Sequence, residues 1–170
     1  MQKRLFLHSV AALLATAAFS PALLAQGKAD TAKPKIPVEV WKDPNCGCCK
    51  DWVVYLEANG FAVKVYDTGN AAVRAKLKIA EQFGSCHTAL IGGYAIEGHV
   101  PVREINRLLK ERTKAIGISV PGMPIGTPGM DAPTYQGRED AYSVLLLAHG
   151  GASSVYQTYP GKPRSSNKAA

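Results

Sequence analysis

The sequence lacks the patterns that mark most enzyme classes. Its 170 residues contain no glycine-rich phosphate loop, no nucleophile elbow and no Ser-His-Asp order. The carboxylates form no pair that suggests hydrolysis, and no internal repeat is visible. These absences leave few residue types able to do chemistry, chiefly four cysteines, four histidines and three methionines.

A basic surface for nucleic acid is also missing. The formal net charge is +7, but residues 37–160 hold 12 basic and 12 acidic residues, so the excess lies in the terminal segments. A protein that binds nucleic acid usually concentrates positive charge on the fold itself. We therefore expect no nucleic-acid partner.

No uninterrupted apolar run reaches the roughly 20 residues that a membrane-spanning helix needs. The N-terminus instead has the features of a secretory signal peptide. Lys3 and Arg4 are basic, the stretch 10–19 is apolar, and Ala25 is a small residue at a cleavage position. No cysteine stands directly after Ala25, where a lipid anchor would be attached. The sequence predicts a periplasmic protein that has no membrane contact after signal cleavage.

The predicted organisation has four parts. Residues 1–25 form the signal peptide, 26–36 a polar linker, 37–160 one domain, and 161–170 a disordered tail. About 145 residues remain after cleavage, enough for one domain with a hydrophobic core.

Alternating and helical hydrophobic patterns predict an α/β domain. Strands are expected at 38–41, 61–66, 88–91, 94–97 and 142–148, and helices at about 48–59, 71–82 and 101–112. The first strand, helix and second strand suggest a parallel βαβ unit, and Gly92-Gly93 predicts an antiparallel hairpin. The proline- and glycine-rich stretch 121–130 fits neither a helix nor an interior strand. The expected fold is a central mixed sheet flanked by helices.

Three of the four cysteines lie within Cys46-Gly47-Cys48-Cys49. Cys46 and Cys49 have C-x-x-C spacing between a predicted strand and helix, which is typical of thioredoxin-like redox proteins. Cys86 precedes the hairpin, at a place where such a fold brings its loop against the C-x-x-C turn. We therefore expect its sulfur within roughly 4–5 Å of the cluster, close enough to share a ligand.

The departures from a thioredoxin-type enzyme favour a metal. Cys86-His87 stands where proline is normal, and Cys48 is an extra thiol. Four thiols and an imidazole suit a soft metal, above all Cu(I), and bridging thiolates can hold more than one ion. His99 and the thioethers of Met123 and Met130 are further candidate ligands. His149 is expected to be structural.

Three alternatives stay open at this point. The cysteines could form structural disulfides, although a Cys46–Cys49 bond closes too small a loop to stabilise much. Zinc could take four Cys and His ligands, although its structural sites usually use two well-spaced pairs. The C-x-x-C pair could also serve thiol–disulfide exchange, which does not exclude metal binding.

Residues 38–159 resemble the CopG-type family of periplasmic copper-resistance proteins. The resemblance is carried by Cys46-Gly47-Cys48-Cys49, Ser85-Cys86-His87-Thr88-Ala89, Gly98-His99-Val100-Pro101, Pro121-Gly122-Met123-Pro124 and Pro128-Gly129-Met130. It implies a thioredoxin-like fold, copper binding through the cysteines and a role in copper tolerance, and it leaves enzymatic activity open.

These observations combine into one functional hypothesis. The domain binds Cu(I), in one or several ions, through Cys46, Cys48, Cys49 and Cys86, supported by His87, Met123 and His99. It would sequester copper, pass it to a periplasmic exporter or chaperone, or change its redox state. The alternative is a thiol–disulfide oxidoreductase of the thioredoxin type.

Overall fold

A seven-stranded mixed sheet is the framework of the computed structural model, which describes residues 34–162. The predicted signal peptide, the linker up to residue 33 and the tail from residue 163 lie outside the described residues. The predicted domain boundaries therefore stay a prediction.

The sheet has the order β2-β1-β3-β4-β5-β6-β7. Its strands are β1 (Ile36–Lys42), β2 (Phe61–Tyr66), β3 (His87–Ile91), β4 (Tyr94–Glu97), β5 (Gly117–Ser119), β6 (Tyr142–Leu147) and β7 (Ser153–Tyr159). The helices are α1 (Gly47–Ala58), α2 (Ala71–Lys76) and α3 (Val102–Glu111). The pairs β1–β2 and β4–β5 are parallel, and the other neighbours are antiparallel. The mixed α/β sheet, the parallel βαβ unit and the hairpin are confirmed; the thioredoxin-like assignment stays a prediction.

Helices α1 and α3 contribute to one hydrophobic core with the central strands. Trp52 and Leu56 of α1 are fully buried there with Ile105 and Leu108 of α3. Each such side chain contributes about 1.5–3 kcal/mol by leaving water. The Trp52 indole N–H also donates to the Val100 carbonyl at 3.0 Å, so α1 is fixed to the segment that leads into α3.

The second helix is shorter than predicted. It ends at Lys76, and Lys78 adopts a left-handed backbone conformation with φ of 59°. The chain then turns so that Ile79 and Phe83 are buried in a second, smaller cluster with Ala95 and Leu147. Burial of these side chains replaces the regular helix that the pattern 71–82 predicts.

The C-terminal part contains more strands than predicted. Strand β6 matches the expected 142–148 strand, but β5 and β7 were not anticipated. Three residues are too few to give β5 a pattern, and the solvent-facing β7 is mostly polar. The first tail residues are also paired, since the Lys162 N–H donates to the Glu139 carbonyl at 2.8 Å. The segment 121–130 forms no helix or strand, as predicted.

Within residues 34–162, no helix is both long and apolar enough to cross a membrane.

Candidate metal site

The turn between β1 and α1 presents the three clustered cysteines. An Asp43 carboxylate oxygen accepts the Asn45 N–H at 2.8 Å, and the Asp43 carbonyl accepts the Cys46 N–H at 3.1 Å. Cys46 is the N-cap of α1, and its sulfur accepts the Cys49 N–H at 3.3 Å. The sulfurs therefore lie at the N-terminus of α1, which is the positive end of the helix dipole.

Strand pairing brings the fourth cysteine to the same place. Strand β3 runs antiparallel to β1 with Lys42 opposite His87, so the residue before β3 lies beside the end of β1. Cys48 Sγ is 4.0 Å from Cys86 Sγ and 3.6 Å from Cys46 Sγ. All four sulfurs lie within 4.8 Å of one another. The predicted proximity of Cys86 to the cluster is confirmed.

Two of the four cysteines are oxidised in this structure. Cys46 and Cys49 form a disulfide with a Cα separation of 5.3 Å, while Cys48 and Cys86 are free. A disulfide sulfur is not a thiolate ligand. The set of four thiolates therefore becomes available only when this bond is reduced.

His99 faces Cys86 with a nitrogen suited to bind a metal. Its Nε2 is 3.2 Å from Cys86 Sγ, and its Nδ1 is 2.9 Å from the Pro128 carbonyl. A carbonyl only accepts hydrogen bonds, so Nδ1 carries the proton and Nε2 presents a lone pair. Burial also lowers the pKa of His99, which keeps the ring neutral. This fixed tautomer is the form that ligates metals.

His87 is fully buried next to the same thiol. Its Nδ1 is 3.4 Å from Cys86 Sγ, and its ring packs 4.3 Å from Trp52 and 4.8 Å from His99. Burial holds the pKa of His87 well below its usual range. Within the described part of the chain, its Nε2 has no hydrogen-bond partner. A buried ring nitrogen without a partner is uncommon and is often a sign of function.

Cys86 connects the cysteines to the histidines. It belongs both to the group of four sulfurs and to a second group with His87 and His99, whose ligand atoms also lie within 4.8 Å of one another. Burial, reinforced by the nearby Cys48 charge, raises the pKa of Cys86 to about 12. The thiol is therefore neutral when no cation is present. A bound cation would stabilise its thiolate.

The segment 121–130, which we call the proline–glycine segment, closes one side of this site. The Gly122 N–H donates to the Gly84 carbonyl at 3.0 Å, and the Ser85 hydroxyl donates to the Gly122 carbonyl. At its other end, a Cβ on Gly129 would lie 2.7 Å from the Cys48 carbonyl oxygen. The segment is thus held against both the Cys86 loop and the first turn of α1.

The cysteines, histidines and methionines singled out from the sequence fall into three groups. The structure brings Cys46, Cys48, Cys49, Cys86, His87 and His99 together. Met123 lies in the proline–glycine segment with its side chain 53% exposed, and Met130 is half-buried at the end of the same segment. His149 is at the opposite end of the sheet. The ligand roles of the four cysteines, His87, His99 and the two methionines stay predictions, and none was predicted for His149.

Sequence reasoning missed two groups that fix the site. One is the Pro128 carbonyl that sets the His99 tautomer; a backbone atom of this kind carries no sequence signal of its own. The other is Glu97, fully buried and bonded to the Ser85 N–H at 2.7 Å. A carboxylate that ends an apolar strand was the available signal for Glu97.

The fold and the donor set define an α/β domain whose cysteine–histidine cluster matches the preferences of soft metals. Residues 83–130 match a family described as "Protein of unknown function, DUF411". This range includes Cys86, His87, His99 and Met123. A comparison with curated proteins finds no match.

Two solved structures resemble the whole domain. Both are of copper resistance protein CopG, described as Form 1 and Form 2, and each is 45% identical to this chain. Form 1 covers 75% of this chain and 99% of its own, with a TM-score of 0.69. Form 2 covers 74% and 99%, with a TM-score of 0.68. The chain belongs to the CopG copper-resistance family.

Proposed function

We propose that this protein is a periplasmic Cu(I)-binding protein of copper resistance. Cys46, Cys48, Cys49 and Cys86 hold the copper, with His99 and His87 beside them and Met123 at the rim. The observation that carries the proposal is the convergence of four sulfurs within 4.8 Å, one of them shared with two imidazoles. The family supports copper as the metal, and the signal-like N-terminus supports the periplasm.

The geometry favours copper over zinc. A structural zinc ion takes four ligands at tetrahedral corners, usually from two spaced pairs. Here three cysteines come from one turn and Cys48 contacts both Cys46 and Cys86, at 3.6 and 4.0 Å. Thiolates this crowded are suited to bridge soft ions, so more than one Cu(I) fits the donor set.

The cysteines also supply electrons for redox conversion. Two Cu(II) ions take one electron each from the Cys46 and Cys49 thiols, giving two Cu(I) ions and the Cys46–Cys49 disulfide while two protons pass to solvent. The disulfide that this reaction would form joins the same two cysteines as the disulfide in the structure. Cys48, Cys86 and the two histidines remain as ligands in that state. The copper is then sequestered or passed to an exporter or chaperone.

A second candidate is thiol–disulfide exchange. The disulfide joins the pair with C-x-x-C spacing at a helix N-terminus, as a thioredoxin-type enzyme requires. Such an enzyme uses one thiol to attack and the other to resolve the mixed disulfide, so Cys48 has no part in it.

Cys48→Ser separates the two candidates. Copper binding predicts that the reduced variant retains fewer Cu(I) ions and holds them more weakly in an anaerobic titration against a chromophoric chelator. Reduction of a disulfide substrate stays near the parent rate. His149→Ala, which lies far from the cysteines, is the control for effects of substitution and sample preparation. If Cys48→Ser binds copper like the parent, and both proteins reduce a disulfide substrate at the same rate, the oxidoreductase reading replaces the copper one.

A further inference from the structure

The loop that carries Cys86 is held from behind by a buried carboxylate. Glu97, the last residue of β4, is fully buried. One carboxylate oxygen accepts hydrogen bonds from the Ser85 N–H at 2.7 Å and from the Arg74 guanidinium at 3.5 Å. The other accepts the Thr88 hydroxyl. Glu97 therefore bonds to residues on both sides of Cys86.

The Ser85 carbonyl is held by the same network. It accepts hydrogen bonds from the Asn70 side-chain amide at 3.2 Å and from the Arg74 guanidinium at 3.3 Å. Asn70 also donates to the Thr88 hydroxyl at 3.1 Å. The Ser85 carbonyl belongs to the peptide plane that ends at the Cys86 Cα. Fixing it, together with the Ser85 N–H, restricts the directions in which the Cys86 side chain can point.

The turn after Glu97 lets this loop approach closely. Gly98 has φ of +74°, and a Cβ there would lie 2.5 Å from the Val120 carbonyl oxygen and 2.6 Å from Ser85. The next residue is His99, whose Nε2 faces Cys86 Sγ at 3.2 Å. Glu97 thus holds the backbone before Cys86, while His99 contacts its sulfur.

We propose that Glu97 is a positioning residue for Cys86. Through the Ser85 N–H it places the Cys86 sulfur between Cys48 and His99, while Asn70 and Arg74 hold the Ser85 carbonyl. The effect of this placement on copper rests on the proposed function; the placement itself does not. Glu97 is not itself a metal ligand.

Glu104 offers a matched control. It is also fully buried, bonded to the Tyr159 hydroxyl at 2.6 Å and the Arg103 guanidinium at 2.9 Å. None of its bonds within residues 34–162 reaches the cysteine loops. Glu97→Gln and Glu104→Gln therefore make the same chemical change at the same burial, and only the first lies behind Cys86. Asn70→Ala is a milder variant that loosens the Ser85 carbonyl if Glu97→Gln fails to fold.

The first measurement needs no copper. In the full chain with its Cys46–Cys49 disulfide intact, Cys48 and Cys86 are alkylated by iodoacetamide and their relative rates are read by mass spectrometry. Glu97→Gln and Asn70→Ala should change the Cys86-to-Cys48 rate ratio severalfold. Glu104→Gln should leave the ratio unchanged even if it lowers the unfolding temperature.

The second measurement uses Cu(I) itself. In reduced protein, Glu97→Gln should weaken Cu(I) retention about tenfold, as expected for a group that orients a ligand. In a Cys86→Ser background the same change should have no further effect, since the two act through one sulfur. If Glu97→Gln changes the alkylation ratio but the parent protein binds no Cu(I), the proposed function is overturned and the positioning role of Glu97 stands. Equal behaviour of the Glu97 and Glu104 variants in both measurements would overturn the positioning.

Discussion

Each end of the sheet carries histidine, and the two ends differ in how that histidine and its neighbours are held. At the cysteine end, formed by Cys46–Cys49, Cys86 and His99, the cysteine and histidine side chains are buried or half-buried and contact specific partners. At the turn end, a cavity of about 510 Å³ is lined by Lys76, Lys78, His149 and three glycines. Within residues 34–162, no side-chain hydrogen bond or ion pair holds these lysines or His149.

The contrast is sharpest for the two histidines. His99 has both ring nitrogens engaged and is fully buried, whereas His149 is exposed. A fixed and desolvated imidazole offers one defined nitrogen to a metal ion. An exposed one remains hydrated and free to rotate. Residue type alone therefore does not identify a site, and the position and partners of the side chain decide its chemistry.

The largest effect is expected from Cys86→Ser. Cys86 is shared by both groups of potential ligands, so its loss affects the sulfur cluster and the histidine pair together. Cu(I) retention should fall by at least about a hundredfold, at the upper limit of what loss of a supporting group costs. An anaerobic chelator competition measures it. Unchanged Cu(I) retention would contradict the view that the cysteines and histidines form one copper site through Cys86.

A pair of glycine variants tests how tightly the cysteine end is packed. In Gly129→Ala, the new Cβ would meet the Cys48 carbonyl at 2.7 Å and the Trp52 nitrogen at 2.8 Å, with φ of +82°. In Gly151→Ala at the turn end, φ is +89° but nothing lies within 4 Å. Both variants carry backbone strain, and only the first carries overlap. The free energy of unfolding should fall by about 2 kcal/mol more in Gly129→Ala, as measured by urea denaturation. Equal losses would contradict the close seating of the proline–glycine segment on α1.

The smallest effect is expected at the histidines. His99→Ala should weaken Cu(I) retention about tenfold, because it removes a nitrogen at one corner of the cluster while the thiolates remain. His149→Ala should leave retention unchanged. The same chelator competition compares them. Similar results for both histidines would remove the distinction between the two ends.

The sequence predicted the cysteine end well because its signals are local or topological. The C-x-x-C spacing, the strand before it and the Gly92-Gly93 hairpin, together with the expected thioredoxin-like order, predicted that Cys86 lies near Cys48, 38 positions away along the chain. The contacts of His99 and Glu97 depend on how loops meet after folding. Their partners, the Pro128 carbonyl and the Ser85 N–H, are backbone groups that every sequence contains.

The elements that escaped prediction lie away from the cysteine turn. Helix α2 stops at Lys76 because Ile79 and Phe83 are buried on the sheet, a tertiary effect that overrides helical periodicity. Strand β7 is stabilised by pairing with β6 and by the Tyr142–Tyr159 stack at 4.6 Å. Such pairing over a distance leaves a weak pattern in a polar strand.

Copper K-edge X-ray absorption tests the central claim most directly. The fully reduced protein is loaded with Cu(I) anaerobically, and its spectrum is compared with that of Cys86→Ser. The account predicts a first coordination shell dominated by sulfur in the parent and a loss of sulfur in the variant. A parent shell of only nitrogen and oxygen would contradict it.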